Sequence, residues 1–575
     1  MKRYFNSLSK SVWVVLTVLT LGSCSDWMDH YKNDSSYNGS NLVTLAEAIQ
    51  NIPGAENFIE ALQNTYMFNG DKLTSDTYWD LLGDDQFITV WLPLDSSVDD
   101  EDWTKYKKEE KSYTENKRAG QEFIQNHIAR FRYTVSSKTD EKVVMMSNKT
   151  YPNTSAGIGG VPYKTEPNSI NILCKNGILH LLGGQLKYRP TIYEYLTRNS
   201  HDIKSDGKKV AYDYRTILGD FYDKYTEEKI DELKSVSSGI NPVTGVMEYV
   251  DSVIIRKSIL LDKFGDISEE DSTYYMVLPT PALWTLEYDS ISKFFTYGKK
   301  ETDPDSLQVF YTKYSMMTDM LFNMNSKIQL SKKDSVISTT YSRNYNLKNR
   351  VRFNVYDKPF AANGLFKSYD SVKCSNGMIY IVDKWPFDDA KTFNRVIKLE
   401  AEEYDDYDNT VILHNRAYIS SVKGQKLTNV FAARISSKDS KPDWETEFKI
   451  RNTLKGKYKV KLVVFPDTSS VKNVKSNQIA VDILYSGDNP MPDTLHASMK
   501  DIDEPPFYEQ EEFYNNISKI DTIQICEIDV PACNYDKDSK NEAKLRIKVQ
   551  SLVQDATRYS GQLWLDCIIL EPVIE

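Results

Sequence analysis

The chain has 575 residues, which at roughly 150 residues per domain corresponds to about three or four domains. Its 40 % hydrophobic, 12 % aromatic and 27 % charged residues are the balance of a chain that folds, which excludes a disordered, collagenous or polytopic membrane protein. Lys and Arg number 71 against 82 Asp and Glu, a formal charge of −11 with no basic block, so no nucleic-acid partner is expected.

Residues 1–23 read as an address. Lys2, Arg3 and Lys10 precede an apolar run, Val12 to Leu21, too short to span a bilayer and flanked as a signal peptide is. The run ends Leu21-Gly22-Ser23-Cys24, small residues leading into a cysteine, which resembles the bacterial lipobox. The resemblance implies cleavage before Cys24 and its acylation, which would hold the chain at a membrane by buried methylenes. The stretch behind it, Ser25-Asp26-Trp27-Met28-Asp29-His30-Tyr31, is similar to the acidic tract that sends lipoproteins of glycan-degrading gut bacteria to the outer face of the outer membrane. Residues 24–40 are expected to be a lipid-anchored tether facing the cell exterior.

Two copies of one pattern follow. Thr44-Leu45-Ala46-Glu47-Ala48-Ile49 and Thr191-Ile192-Tyr193-Glu194-Tyr195-Leu196 each place Glu three residues after Thr, the spacing of a capping box at a helix start. Leu45, Ala48, Ile49 and Ile52 form an amphipathic stripe, and a second helix with Phe58, Ile59 and Leu62 follows Pro53-Gly54. Thr89-Val90-Trp91-Leu92-Pro93-Leu94 and Tyr275-Met276-Val277-Leu278-Pro279-Thr280 are strands that stop at proline. Cys174-Lys175-Asn176-Gly177-Ile178 and Cys374-Ser375-Asn376-Gly377-Met378 predict a closing hairpin in each copy, with Asn-Gly in a type I′ turn. Three signatures repeating in one order indicate a duplication.

These pieces resemble the fasciclin-type domain, an α+β module built on a small sandwich with helices at one side. The resemblance covers residues 41–188 as a first domain and 189–387 as a second, the latter with insertions around Ser205 to Gly245 and Lys299 to Asp305. It makes His127, Asn176, Gly177, Asn376 and Gly377 structural motif residues. In the second copy the His-Ile piece is absent, and Tyr314-Ser315-Met316-Met317-Thr318 stands near its expected place.

Residues 388–575 change to period-2 alternation, as in Val396-Ile397-Lys398-Leu399, Tyr458-Lys459-Val460-Lys461-Leu462 and Leu545-Arg546-Ile547-Lys548-Val549, which predicts an antiparallel, jelly-roll-like β-sandwich. The opening Leu399-Glu400-Ala401-Glu402 and the closing Leu565-Asp566-Cys567-Ile568-Ile569-Leu570 resemble carbohydrate-binding-module sandwiches. The fold class expected is therefore multidomain, two fasciclin-type α+β domains followed by an all-β sandwich.

Sugars offer CH faces to rings and hydroxyls to carboxylates, so the candidate ligand-binding residues are the aromatics of two acidic loops. These are Tyr404 and Tyr407 in the first, and Phe507, Tyr508, Phe513 and Tyr514 in the second. The histidines lack an HExxH or Cys/His cluster and no GxSxG occurs, so no catalytic residue, metal or cofactor is expected. The function expected is a non-catalytic outer-membrane surface lipoprotein, an accessory of a TonB-dependent transporter and its lid lipoprotein in glycan or glycopeptide uptake. The alternative is an adhesin that binds matrix or neighbouring cells through its fasciclin-type domains.

Overall fold

The structure is a computed structural model. It describes residues 42–573 except 70–71, 199–203, 206–207, 210–211, 231–235, 241–246, 252–253, 300, 326–333, 344–350, 369, 403–411, 419–430, 438–443, 467–473, 486–492, 497–512, 536–543 and 552–556. Two units separate by packing, residues 1–188 with 232–253, and residues 189–231 with 254–575.

The first unit opens with α1 (Leu45–Gln50) and α2 (Glu56–Gln63), then β1 (Tyr66–Asn69), β2 (Lys72–Thr77), α3 (Tyr78–Gly83), β3 (Ile88–Pro93), α4 (Asp100–Tyr106) and α5 (Tyr113–Arg118). There follow β4 (Ile128–Arg130), β5 (Asp140–Val144), β6 (Thr150–Thr154), β7 (Gly157–Ile158), β8 (Val161–Pro162), β9 (Ile172–Cys174) and β10 (Gly177–Leu182). The capping box read from sequence starts α1: Glu47 N donates to Thr44 Oγ1 at 3.2 Å and Thr44 N to the Glu47 carboxylate at 2.8 Å. The main sheet runs β4-β3-β10-β9 with β3 and β10 parallel. Ile88, Val90 and Leu92 point to the face that the helices cover, packing with Phe58, Leu62 and Phe123. Trp91, Ala129 and Leu182 point to the opposite face, which the β5–β8 sheet covers with Val143, Ile158 and Tyr163. Alternation along a strand thus supplies two cores from one sheet.

The second copy repeats this frame with additions. Its elements are α6 (Ile192–Thr197), β11 (Lys204–Ser205), β12 (Lys208–Lys209), α7 (Asp220–Lys224), β13 (Thr226–Ile230), β14 (Val236–Ile240), β15 (Met247–Asp251), β16 (Ile254–Ser258) and α8 (Ile259–Phe264). Then come β17 (Tyr274–Pro279), α9 (Pro281–Ile291), α10 (Pro304–Met316), β18 (Leu321–Asn323), β19 (Ser335–Arg343), β20 (Val351–Asp357), β21 (Asp370–Cys374), β22 (Gly377–Val382) and α11 (Asp389–Thr392). The sheet order β18-β17-β22-β21, with β17 and β22 parallel, matches the first copy strand for strand. The inserted β14–β15 ribbon belongs to the first unit, where β15 lies against β1.

The strands β23 (Ile397–Glu400), β24 (Ile412–Tyr418), β25 (Phe431–Ser437), β26 (Glu445–Ile450), β27 (Gly456–Phe465), β28 (Gln478–Tyr485), β29 (Asp493–His496), β30 (Phe513–Tyr514), β31 (Asp521–Val530), β32 (Leu545–Ser551) and β33 (Gln562–Pro572) complete the chain. They form two antiparallel sheets, β24-β25-β33-β27-β31 with β23 on β33, and β26-β32-β28-β29 with β30 on β28. Tyr458, Val460 and Leu462 of one sheet and Val481, Ile483, Ile547 and Val549 of the other bury into one shared core. Lys457, Lys459 and Lys461 alternate outward between them.

The helix α11 and Phe393, beyond residue 388, still pack with the second copy, and the β region joins that copy without a gap in packing. Leu454 and Cys533, from loops of the β region, lie in the apolar core of the second copy. The Phe295 and Tyr535 rings meet edge to face at 5.6 Å. Cys533 N donates to Thr296 O at 2.8 Å and Lys455 N to Phe294 O at 3.0 Å. Tyr297 OH donates to Tyr535 O, and Lys544 pairs with Glu301.

Candidate functional site

Of the candidate ligand-binding residues, Tyr404, Tyr407, Phe507 and Tyr508 lie outside the described residues, as does Cys24. Phe513 and Tyr514 form β30, paired with Ile479 and Gln478 of β28. Phe513 is half-buried and packs on the core between the two sheets, so its ring is occupied with folding. β29 pairs with the same strand further along, at Asp482 to Tyr485, and the acidic segment between β29 and β30, residues 497–512, lies outside the described residues. Just after β30, Asn515 Oδ1 accepts from Asn477 N at 2.6 Å and from Ser476 Oγ at 3.1 Å.

The opening and closing strands that sequence reading singled out are neighbours. β23 pairs antiparallel with β33, Leu399 opposite Ile568 and Glu400 opposite Cys567. Glu400, Glu402 and Asp566 are all buried there, Ala401 N donates to Asp566 O at 3.0 Å, and Lys398 pairs with Glu400 at 3.2 Å. Among the described residues no group of three or more His, Cys, Asp or Glu is placed to hold a metal ion.

The Asn-Gly pairs do something other than the turn expected of them. Cys174 pairs with Gly177, so the hairpin's two loop residues are Lys175 and Asn176. Neither they nor Ser375 and Asn376 have positive φ, which rules out a type I′ turn in either copy. Asn176 is instead a buried staple. Its Oδ1 accepts from Leu45 N at 2.8 Å, while its Nδ2 donates to Leu82 O at 2.8 Å and Asp84 O at 2.6 Å. Asn376 repeats this with Ile192 N at 2.9 Å, Ile267 O at 2.7 Å and Glu269 O at 3.1 Å. One amide thereby ties the opening helix's N-terminus and the segment before β3, or β17 in the second copy, to the closing hairpin. The glycines answer to close approach: a Cβ on Gly177 would collide with Ile88 O, and one on Gly377 with Tyr274 O.

His127 ends the helical segment before β4 and is fully buried. Its Nδ1–H donates to Phe123 O at 2.8 Å and its Nε2 accepts from Leu186 N at 3.0 Å, which fixes a neutral tautomer. Burial pushes its pKa down to about 4, only partly opposed by the Phe123 carbonyl. His180, which sequence reading passed over, is the same case on the other face. It donates from Nε2 to Tyr133 O at 2.9 Å, accepts at Nδ1 from Asn171 N at 3.3 Å, and stacks on Trp91 at 5.6 Å. Burial lowers it to about 4 as well. Both imidazoles thus spend both nitrogens on backbone partners, which suits architecture and leaves no ring nitrogen for proton transfer.

The register places Met320-Leu321 where the first copy has His127-Ile128, because Leu321 opposes Met276 as Ile128 opposes Val90. The equivalent of the His-Ile piece therefore lies just beyond the Tyr314–Thr318 stretch expected for it. Asp319 takes the place of Asn126. The Asn126 side chain donates to Leu186 O at 2.9 Å and accepts from Ser147 Oγ and Tyr151 OH, both at 3.0 Å. The Asp319 carboxylate accepts from Tyr356 OH at 2.7 Å and from Asn354 Nδ2. Cys174, Cys374, Cys526, Cys533 and Cys567 are free thiols, and burial pushes Cys174 up to about 11 and Cys533 to about 12, which keeps them unreactive.

No family model matches the chain and no curated protein matches it. Among solved structures it is similar to a Podospora anserina GH26-CBM35 β-(1,4)-mannanase, at 11 % identity and TM-score 0.18, over 32 % of this chain and 28 % of that one. The CBM22-1 xylan-binding domain of Paenibacillus barcinonensis Xyn10C matches at 9 % identity and TM-score 0.20, over 32 % of this chain and 97 % of the domain. A family 22 carbohydrate-binding module of Clostridium thermocellum Xyn10B matches at 7 % identity and TM-score 0.18, over 30 % and 94 %. The neighbours are carbohydrate-binding modules at low coverage, and at these scores the likenesses decide neither fold nor ligand.

Proposed function

We propose that this chain is a non-catalytic surface lipoprotein: acylated at Cys24, built from two fasciclin-type domains, and presenting a jelly-roll-like sandwich as its glycan-recognising part. Its place is beside a TonB-dependent outer-membrane transporter and that transporter's lid lipoprotein, holding glycan or glycopeptide for import. The observation that carries this reading is the continuous core between the second α+β copy and the two-sheet region, with Leu454 and Cys533 buried among second-copy residues. A module set rigidly on its support presents its loops in a fixed orientation, which reduces the ordering that capture of a ligand requires. The acidic, aromatic sequence between β29 and β30 supplies the residue types that sugars ask for.

The test is mild-detergent purification of the acylated protein from its native membrane, followed by mass spectrometry of what co-purifies and calorimetric titration of the complex with oligosaccharides. Near-stoichiometric recovery of an outer-membrane transporter and its lid lipoprotein, with saturable sugar binding, is the expected result. Recovery of the chain alone, with binding to intact cells or matrix protein and none to sugar, would overturn uptake in favour of adhesion. Release of product from any glycan would make the chain an enzyme.

A further inference from the structure

The duplication provides an internal control for surface chemistry, because the two copies share a four-stranded sheet in which the register gives each position a counterpart. The end of the main sheet nearest the chain's entry into the first copy is a strip of adjacent backbone. Phe131 N donates to Phe87 O at 2.9 Å, and Lys175 N donates to Val43 O at 2.8 Å. The Arg132 guanidinium lies 4.0 Å over the Phe87 ring and donates to Lys175 O at 3.4 Å. Along this strip Val43 is 45 %, Phe87 and Phe131 are each 43 %, and Leu173 is 40 % exposed. Phe131 holds φ at +72°, a conformation a bulky side chain rarely adopts, and Thr89 Oγ1 donates to its carbonyl at 2.8 Å.

The second copy has the same strip with other chemistry. Met324 N donates to Thr273 O at 2.8 Å and Ser375 N to Pro190 O at 2.9 Å, the counterparts of the two backbone bonds above. Register then matches Phe87 to Thr273, Leu173 to Lys373, Lys175 to Ser375 and Arg132 to Asn325. Thr273 and Lys373 are exposed, Pro190 is buried and Met324 half-buried. The frame therefore does not require exposed aromatic and aliphatic side chains at this end. They occur in the copy that follows the N-terminal segment.

We infer that this end of the first copy, Val43, Phe87, Phe131 and Leu173 with Arg132 and Lys175, rests on a lipid surface. The inference depends on the proposed anchor at Cys24 for its occupant. Seventeen residues separate Cys24 from Leu42, a reach of about 60 Å at most, and the chain enters the domain beside this strip. An acyl chain in the bilayer keeps this strip at high local concentration over headgroups, where even a weak second contact is populated. Phenyl and isobutyl groups enter the interface and Arg132 meets phosphate, while Lys175 stays paired with Asp85 at 3.2 Å.

The chain from residue 24 onward is purified with Cys24→Ser, so that no acyl group contributes, and sedimented with vesicles of phosphatidylethanolamine containing a minority of phosphatidylglycerol. The expected result is co-sedimentation that falls on the order of tenfold in Phe87→Thr/Leu173→Lys, which installs the second copy's residues, with unchanged circular dichroism. Phe131→Asn, which tolerates positive φ, is expected to weaken it as well. Absence of co-sedimentation, or equal co-sedimentation by the double variant, would overturn the inference. So would a doubled mass in light scattering that the double variant abolishes, which would assign the strip to a second copy of this chain. Because the assay omits the acyl group, failure here leaves the anchor reading intact, and failure of that reading shows separately as an unacylated Cys24 in native membranes.

Discussion

The two α+β copies are one frame solved twice, and their differences separate what the frame needs from what it merely carries. Asn176 and Asn376 make the same three hydrogen bonds to equivalent elements, and Gly177 and Gly377 face the same backbone approach. These residues define the fold. His127 and His180, in contrast, are replaced by Met320 and Tyr380 without loss of sheet order. A buried histidine in this frame is thus one way of filling a position, and its titration is a property of the first copy alone.

The comparison is most severely tested at the glycines. Gly177→Ala and Gly377→Ala force a methyl group into a carbonyl oxygen, and each is expected to cost about 3 kcal/mol or more and to unfold its own copy. Hydrogen-exchange mass spectrometry resolved by copy checks this, and an undisturbed domain would refute the close-approach account. Asn176→Ala and Asn376→Ala come next, at about 2–4 kcal/mol each, since one backbone N–H and two carbonyls lose a buried partner. Unequal costs in denaturant unfolding would show that the two staples are not equivalent.

Acid sharpens the contrast. His127 and His180 have native pKa values of about 4, below the unfolded value near 6.5, so the unfolded chain binds more protons between those limits. Stability is therefore present above the unfolded pKa and is lost as pH falls from roughly 6.5 toward 4, by about 2–3 kcal/mol per histidine at pH ~4.5. Exchange protection should fall first in the first copy; equal loss in both would place the acid-sensitive groups elsewhere. His127→Met, borrowing the second copy's residue, should flatten part of this dependence while leaving Leu186 N without its acceptor. The smallest effect is at the junction with the β region. Tyr297→Phe removes a hydrogen bond to Tyr535 O and should cost about 1 kcal/mol, read as faster exchange on both sides of the junction together.

What the sequence disclosed was local. Thr44 and Glu47 are three residues apart, so their capping box was legible, as was the period of two in β27. The role of Asn176 was not, because its partners Leu45 and Leu82 are 131 and 94 residues away and Asn-Gly carries the same letters whether it makes a turn or a staple. His180 was missed for the same reason: Tyr133 is 47 residues distant. The junction escaped notice because Cys533 and Tyr535 sit in a loop without periodicity. Of the ligand-binding candidates, only the strand β30 pair is placed, and Phe513 there turns toward the core.

That junction also decides how the molecule carries tension. A ligand tugging on the β region would not stretch a linker, since Cys533 and Lys455 are bonded directly to the backbone of Thr296 and Phe294 and the surrounding rings must shear before they part. Force entering at the sheets is therefore delivered straight into the packed core of the second copy.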